Sequence, residues 1–332
     1  MKTSLFSFLV GFGVSVIIAP LIIKLIQKLK GGQPILNYVE AHINKSGTPT
    51  MGGIIFLLGS IVSFLCFSLN NNTLALICLM CLLGYGTLGF LDDFIKVKFK
   101  HNLGLKAYQK VIGQVGIAVL MGVFIYLNVY CGGKVLIPFS DIKWDFGYFI
   151  IPFVIFVFLA TTNAVNLTDG LDGLAGGVSL IFLIGFVVIS NHLVGNMEYI
   201  GENPEYIRQL RNVITLTCGV AGSILAFLCF NSHPARVFMG DTGSLALGGY
   251  IAAICSVTGM YLYLPILGLM FVLSAVSVIL QVLYYKATHK RIFLMAPLHH
   301  HFEKKGCYET KIVAIYIIIT IIVSVLSIAL TI

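Results

Sequence analysis

Long apolar stretches separated by short polar segments follow one another along the whole chain. Each is close to the ~20 residues that a helix needs to cross a bilayer. The first stays uncharged up to Lys24 and contains no small-residue cleavage site, which indicates a transmembrane helix rather than a signal peptide. Ten stretches can be delimited, near 4–26, 51–69, 73–91, 111–130, 148–166, 174–192, 212–230, 242–259, 262–285 and 312–331. The pattern predicts an all-α integral membrane protein of about ten transmembrane helices, with residues 1–332 in a single polytopic domain.

Composition supports this prediction. Hydrophobic residues make up 58% of the 332 residues and charged residues only 10%. Soluble domains carry about 25% charged residues, so this chain cannot cover a water-exposed surface. The net charge of +8 is therefore interpreted as membrane topology, and nucleic-acid binding is not expected. The eight cysteines include no CxxC pair, so most are expected to be small core residues rather than disulfide partners or metal ligands.

The basic residues orient the helices. Cytoplasmic loops of membrane proteins are enriched in Lys and Arg. One side of the membrane would hold 16 of the 21 Lys and Arg residues, counting Lys24 at its helix end. That side comprises the segments 27–50, 92–110, 167–173, 231–241 and 286–311. It is predicted to be cytoplasmic, and both termini are predicted to be extracytoplasmic.

Carboxylates gather on the same side. Carboxylates at a membrane boundary are costly unless they are paired or functional. Five aspartates fall at helix ends that face the predicted cytoplasm: Asp92, Asp93, Asp169, Asp172 and Asp241. The set predicts an active site at the cytoplasmic face.

The first motif closes the third stretch and runs from Gly89 to Lys96, with Asp92 and Asp93 adjacent. Adjacent carboxylates repel each other, which suits a general base or a metal ligand. A solvated helix end, in which Lys96 pairs with Asp92 four residues away, is the alternative interpretation.

The second motif runs from Asn163 to Gly177 and combines polar groups with glycines. Asn166, Asp169 and Asp172 are spaced by three and would share one face of a helical turn. Glycines let a backbone approach a ligand closely and allow a helix to break. A binding segment is therefore favoured over an ordinary polar loop.

The third motif runs from Asn231 to Ser244, opens the eighth stretch and contains Arg236, Phe238 and Asp241. A carboxylate at a helix N-terminus can hold a divalent cation beside a phosphate, because the backbone N–H groups there attract anions. Mg²⁺ typically takes one or two carboxylates together with phosphate oxygens. A simple N-cap role for the aspartate is the alternative.

Three consecutive histidines, His299, His300 and His301, form the fourth motif. Consecutive side chains do not converge on one metal ion in a helix or a strand, so a zinc site is disfavoured. An expression tag is disfavoured because a tag would lie at a chain terminus. Recognition of a phosphate or a sugar is expected, with a polar surface loop as the alternative.

A fifth segment, Lys45 to Gly53, leads into the second stretch. Its lysine, hydroxyls and glycines are equally compatible with an anion contact and with ordinary helix capping.

Together, the motifs describe Asp-rich, Mg²⁺-compatible chemistry in a basic setting at the membrane boundary. Phosphoryl transfer fits best, because a metal and cations neutralise phosphates while a carboxylate activates a nucleophile. The depth of the site implies that one substrate is a lipid. An ion-coupled transporter is the main alternative, but it would place its acids near the bilayer midplane.

These motifs resemble those of the polyprenyl-phosphate N-acetylhexosamine-1-phosphate transferases. The resemblance covers essentially the whole chain, through the Asp92-Asp93 pair and the segments 166–177 and 231–244. The histidine stretch 297–303 narrows it to members that use UDP-MurNAc-pentapeptide. It implies transfer of phospho-MurNAc-pentapeptide from that donor to undecaprenyl phosphate, giving lipid I and UMP for peptidoglycan synthesis. A sister transferase that uses UDP-GlcNAc is the alternative within the family.

The resemblance also implies Mg²⁺ dependence, a multi-pass location in the bacterial plasma membrane and a homodimer. By matching position, Asp241 would hold Mg²⁺ and Asp92 would deprotonate the lipid phosphate, with Asp93 supporting it. Lys96 and Lys110 would lie near the phosphates. The donor pocket would be lined by Lys45, Thr50, Asn166, Asp169, Asp172, Asn231, Phe238 and Gln281. Phe238 suits stacking on uracil, and His299, His300 and His301 would lie near the pyrophosphate or the MurNAc-peptide.

Two points stay open at the level of sequence. Tyr108 stands where relatives often have a basic residue, so a phosphate contact could come from Lys106 or Lys110. Asp92, Asp93 and Asp241 can each serve chemically as nucleophile or base. Direct attack and a two-step route through a phosphorylated aspartate are therefore both compatible with the sequence.

Overall fold

The structure is a computed structural model that describes residues 2–29, 47–67, 72–99, 104–140 and 142–332. Within them, apolar stretches form helices because a helix satisfies its own backbone hydrogen bonds away from water. The helices are α1 (Lys2–Leu29), α2 (Gly53–Phe67), α3 (Thr73–Phe99), α4 (Ala107–Leu127), α5 (Ile150–Thr168), α6 (Leu174–Tyr199), α7 (Pro204–Asn231), α8 (Gly240–Thr258), α9 (Tyr263–Leu267), α10 (Leu269–Thr288), α11 (Leu298–Lys304) and α12 (Glu309–Thr331).

Eight helices of the described segments are long and apolar enough to cross a membrane: α1, α3, α4, α5, α6, α7, α10 and α12. Each coincides with a predicted stretch, which confirms an all-α membrane protein. The second and eighth stretches are helical as well. However, α2 has only 15 residues, and α8 opens with the polar sequence Gly-Asp-Thr-Gly-Ser. Crossings beyond the eight stay a prediction.

Several boundaries differ from the predicted ones. Helix α3 continues to Phe99, well past the predicted end at residue 91. Helix α7 begins at Pro204 instead of 212, because the side chain of Asn203 caps it by accepting from the Glu205 N–H at 2.9 Å. The predicted stretch 262–285 is interrupted at Gly268, which separates α9 from α10. Apolarity alone locates the middle of a helix, whereas polar caps and glycines set its ends.

One feature between α4 and α5 was not predicted. Two short antiparallel strands, β1 (Lys134–Leu136) and β2 (Lys143–Asp145), pair so that Val135 lies opposite Trp144. A 3-10 turn, Gly147–Phe149, then leads into α5. Strands of three residues are too short to give a readable alternation of apolar and polar positions.

Helix α8 lies at the centre of the structure. Every residue from Thr242 to Val257 is buried, and the helix packs mainly against α3 and α5. Glycines allow this close packing. A Cβ added to Gly53 in α2 would lie 2.4 Å from the Cα of Gly243 in α8. The first turn of α8 is thereby held against α2 and α3.

Half of the cysteines, and not most of them, are buried core residues, and Cys66 and Cys229 are exposed. All eight lie in described segments and are free thiols. Cys78, Cys81, Cys131 and Cys255 are buried in the core cluster.

The α5–α8 contact gives a stability prediction. A Cβ at Gly248 would lie 2.5 Å from the Cα of Thr162, which is backbone and cannot move without shifting α5. Gly248→Ala should therefore lower stability by about 1–3 kcal/mol, seen as a lower thermal unfolding midpoint in detergent. The matched control is Gly116→Ala, since a Cβ there meets nothing within 4 Å. Equal midpoints for the two variants would contradict the tight α5–α8 contact.

Candidate active site

The adjacent aspartates lie in the last turns of α3, and both are only 3% exposed. Their side chains have different partners. Asp92 pairs with Lys96 and accepts from the Leu105 N–H at 2.7 Å, which ties the chain before α4 to α3. Asp93 accepts from the backbone N–H and the hydroxyl of Thr242, at 2.9 and 2.7 Å. Asp93 therefore satisfies orphan N–H groups at the start of α8.

Asp241 lies in the first turn of α8 and receives three donors. One carboxylate oxygen, Oδ2, is 3.1 Å from the ammonium of Lys96 and 2.8 Å from that of Lys110. The other, Oδ1, accepts from the Asn166 amide at 2.8 Å. The same amide donates to Ser244 at 2.8 Å. Asp241 thus joins the ends of α3, α4 and α5.

Glycines permit this convergence. A Cβ at Gly89 would lie 2.0 Å from the carbonyl oxygen of Asp241, so α3 and α8 touch through their backbones. Gly240 has a φ of +72°, and a Cβ there would lie 2.5 Å from a carboxylate oxygen of Asp93 and 2.6 Å from the hydroxyl of Thr50. Both sites need a residue without a side chain.

A cavity of about 400 Å³ adjoins this cluster. It is lined by Thr50, Asp93, Lys96, Asn166, Asp169, Gly170, Leu171, Asp172, Asn231, Phe238, Met239, Gly240 and Asp241. Nine of the sixteen candidate residues therefore line one cavity, and Phe238 is the aromatic residue among them. Asp92 is not among the lining residues.

Asp169 follows the end of α5 and faces the other acids. Burial raises the pKa of its carboxyl well above the usual range, and the nearby carboxylates of Asp241, Asp93 and Asp172 raise it further. A neutral carboxylic acid can donate a hydrogen bond as well as accept one.

Asn231 holds the opposite wall of the cavity. It is buried at the end of α7, where its side-chain oxygen accepts from the Gly173 N–H at 3.1 Å. Its amide donates to the Val237 carbonyl at 2.9 Å. Asn231 therefore ties the loop after α5 to the turn before α8.

The three histidines have three different surroundings. His301 accepts from the Leu294 N–H at 3.1 Å, and His300 lies 2.9 Å from Glu303. His299 is fully buried, and neither ring nitrogen has a hydrogen-bond partner among the described residues. Burial, and then the neighbouring His300, lowers the pKa of His299 to about 3, so the ring is neutral at physiological pH.

Two of these rings reach the cavity wall. A Cβ at Gly170 would lie 2.3 Å from Nε2 of His299 and 3.0 Å from Nε2 of His300. His299 and His300 therefore both pack against the loop that carries Asp169 and Asp172, whereas the His301 ring accepts from the Leu294 N–H elsewhere.

Among the remaining candidates that the structure describes, Gln281 and Lys110 are not in the cavity lining. The Gln281 side-chain oxygen accepts from the backbone N–H groups of Ile292 and Phe293, at 3.2 and 2.9 Å, and the residue is not in the cavity lining. Lys45 lies outside the described residues. Lys110 contacts Asp241, whereas the Lys106 backbone N–H donates to Gln109 at the start of α4.

Sequence reasoning assigned no role to several residues that organise the site. Thr242 and Ser244 are within the third motif, yet their partners Asp93 and Asn166 could not be read from spacing. His233 and Glu309 contact Asp172. His233 lies within the third motif but was assigned no role, and Glu309 lies outside every motif.

Three carboxylates among the described residues form a cluster that is suited to a divalent metal. Oxygens of Asp92, Asp93 and Asp241 all lie within 4.8 Å of one another. Carboxylate oxygens are the ligands that Mg²⁺ prefers. The two nearby ammonium groups leave this set of three carboxylates with an excess of negative charge, which a cation can balance.

Comparisons with known proteins agree with these features. Residues 74–259 match glycosyl transferase family 4, and residues 45–57 match phospho-N-acetylmuramoyl-pentapeptide-transferase signature 1. The phospho-N-acetylmuramoyl-pentapeptide-transferase of Clostridioides difficile (strain 630) is 43% identical over 321 residues, which cover 96% of this chain and 95% of the relative. That of Thermoanaerobacter sp. (strain X514) is 45% identical over 319 residues, 96% and 95% of the two chains. The chain therefore belongs to glycosyl transferase family 4 and, within it, to the phospho-N-acetylmuramoyl-pentapeptide-transferases.

Proposed function

We propose that this protein transfers phospho-MurNAc-pentapeptide from UDP-MurNAc-pentapeptide to undecaprenyl phosphate, giving lipid I and UMP. The observation that carries the proposal is the cluster of Asp92, Asp93 and Asp241 with Lys96 and Lys110 beside a polar cavity. Such a cluster fits phosphoryl transfer, in which positioning and charge neutralisation do most of the catalysis. Near-full-length similarity to transferases of this name supports the choice of substrates.

In the reaction, an oxygen of the lipid phosphate attacks the sugar-linked phosphorus of the donor. The bond from that phosphorus to the bridging oxygen breaks, and UMP leaves with the bridging oxygen. Asp92 takes the proton of the lipid phosphate. The ammonium of Lys96, which pairs with Asp92, can orient that phosphate for the transfer. Asp93 keeps α8 in place through Thr242.

Mg²⁺ is the cofactor that the proposal requires, and the residues present fit it. Asp241 would hold the ion, with Asp92 and Asp93 in reach. When bound, Mg²⁺ neutralises charge on the phosphates. Lys96 and Lys110, which pair with Asp241, can turn to the donor phosphates because both ammonium groups are partly exposed.

The cavity is proposed to bind the nucleoside and sugar of the donor. Thr50, Asn166, Asp169, Asp172 and Asn231 supply polar groups, and Phe238 offers a ring for uracil to stack on. His299, His300 and His301 recognise the pyrophosphate or the MurNAc-peptide. Lys45 and Gln281 are the remaining residues proposed to contact the donor.

The same proposal includes the placement in the membrane. The single polytopic domain has ten crossings, in which α2 and α8 join the eight long helices, with both termini extracytoplasmic and the site at the cytoplasmic face. The protein is a multi-pass protein of the bacterial plasma membrane and works as a homodimer. The charge asymmetry of the loops supports this orientation.

UMP release by the purified protein in detergent tests the function directly. With undecaprenyl phosphate, UDP-MurNAc-pentapeptide and Mg²⁺, we expect UMP and a lipid-linked product, and EDTA should stop both. UMP release with UDP-GlcNAc but not with UDP-MurNAc-pentapeptide would show that UDP-GlcNAc is the donor. No release with either donor by folded protein would refute the transferase.

The metal assignment predicts that Asp241→Ala reduces turnover at least about 10³-fold, because the ion and its charge are lost together. Raising the Mg²⁺ concentration should not restore activity. The control is Asp145→Ala, which removes an exposed carboxylate in β2. Near-normal UMP release by Asp241→Ala would show that the metal is held elsewhere.

The base assignment predicts a different effect for Asp92→Asn. The amide keeps an oxygen that accepts from Leu105 but cannot take a proton, so kcat should fall about 10²- to 10⁴-fold. KM for the donor should change little. Steady-state kinetics with each substrate varied separates the two parameters, and a rise in donor KM at unchanged kcat would make Asp92 a binding residue.

A further inference from the structure

A second cluster of ionisable groups lies beside the donor cavity, away from the three catalytic aspartates. It consists of Asp172, His233 and Glu309, whose ligand-type atoms all lie within 4.8 Å of one another. The three residues come from three segments: the loop after α5, the turn after α7 and the first turn of α12. The proposed mechanism gives no role to two of them, His233 and Glu309.

Glu309 is the member that bridges the other two. One of its carboxylate oxygens accepts from the backbone N–H of Asp172 at 2.7 Å, and the other lies 3.4 Å from Nδ1 of His233. Its side chain is only 13% exposed, whereas that of His233 is 42% exposed. A carboxylate in the first turn of a helix is also favoured by the helix dipole.

Asp172 is fixed on both sides. Its backbone is held by Glu309, while its carboxylate lies 3.2 Å from Nδ1 of His233 and accepts from the Ala235 N–H at 3.1 Å. Asp172 is 5% exposed and lines the cavity. Its position is therefore set by groups that are themselves outside the cavity lining.

The wall that these contacts hold is the one proposed to meet the nucleoside. Asp172, Asn231 and Phe238 line it. Asn231 makes one tie across it, to Gly173 and Val237, and Glu309 makes the second from α12. Loss of the hydrogen bonds from either residue would leave the loops of this wall less firmly positioned.

We propose that Glu309 is a positioning residue for the nucleotide donor, acting through the backbone of Asp172 and the imidazole of His233. The inference rests on the proposed function and deepens it. Glu309 does not touch the substrate. It holds Asp172 in the orientation that binds the donor, and it does not affect the lipid phosphate or the base.

Steady-state kinetics of the full-length protein in detergent tests this role. Glu309→Ala should raise KM for UDP-MurNAc-pentapeptide about tenfold, the effect of losing one charged hydrogen bond. KM for undecaprenyl phosphate should be unchanged, and kcat should fall less than about threefold. Glu309→Gln should recover most of the donor KM, because its amide oxygen can still accept from the Asp172 N–H.

The matched control is Glu205→Ala. Glu205 is also an acid in the first turn of a helix and pairs with a neighbouring side chain, Arg208, but it lies at the start of α7, away from the cavity. This variant should leave both KM values unchanged. A thermal unfolding midpoint for each variant checks that it is folded.

A double variant tests the connection to His233. If the two residues act through one network, Glu309→Ala combined with His233→Ala should raise the donor KM no more than Glu309→Ala alone. Multiplied effects of the two single changes would show that they act separately and would overturn the shared role.

The remaining outcomes are equally decisive. Unchanged KM values with a lower kcat in Glu309→Ala would indicate a purely structural residue. A Glu309→Gln variant as impaired as Glu309→Ala would exclude the backbone hydrogen bond as the route. Either result refutes the positioning role while wild-type activity stands. Wild-type protein that neither releases UMP nor binds the donor would refute the proposed function and this inference with it.

Discussion

The placement of three carboxylates within 4.8 Å of one another, where helix ends meet, constrains the rest of the site. Bringing a charge out of water costs several kcal/mol unless partners compensate it. Here the compensation comes from separate elements: Lys96 from α3, Lys110 from α4 and Asn166 from α5. The ends of these helices must therefore meet at the first turn of α8. The arrangement of these helix ends is thus tied to the neutralisation of Asp241.

That meeting of helix ends depends on small residues as much as on charge. At Gly89 and Gly240, a single added carbon would collide with Asp241 or Asp93. The ion pairs can form only because the backbones of α3 and α8 already touch there. Helix α8 thus makes two close contacts through glycines: with α5 at Gly248 and Thr162, and with α3 at Gly89, where the charges of Asp241 are compensated.

Much of this architecture could be predicted from sequence because its signals are local. Apolar stretches predicted the helices. The distribution of Lys and Arg predicted which helix ends lie on the same side, and thereby that the five aspartates lie close together. Roles that depend on distant partners could not be read. Asp93 and Thr242 are 149 positions apart, and Asp172 and Glu309 are 137 apart, so no spacing rule connects them. Gln281 has an amide that binds backbone after α10, a contact that depends on how the following loop folds back.

The two walls of the cavity are built on different physical principles. On the side of α3, α4 and α8, helix ends carry the charged groups, and several ion pairs hold these groups in position. On the other side, loops carry Asp172 and Phe238, and hydrogen bonds from Asn231, Glu309 and backbone groups hold these loops. A rigid charged wall suits phosphoryl transfer, in which small displacements of charge are costly. A loop wall can tolerate small shifts and change donor affinity without altering the reacting groups. Under the proposed function, the reacting phosphates would depend mainly on the charged helix ends and the nucleoside on the loops, with Asn166 linked to both through Asp241.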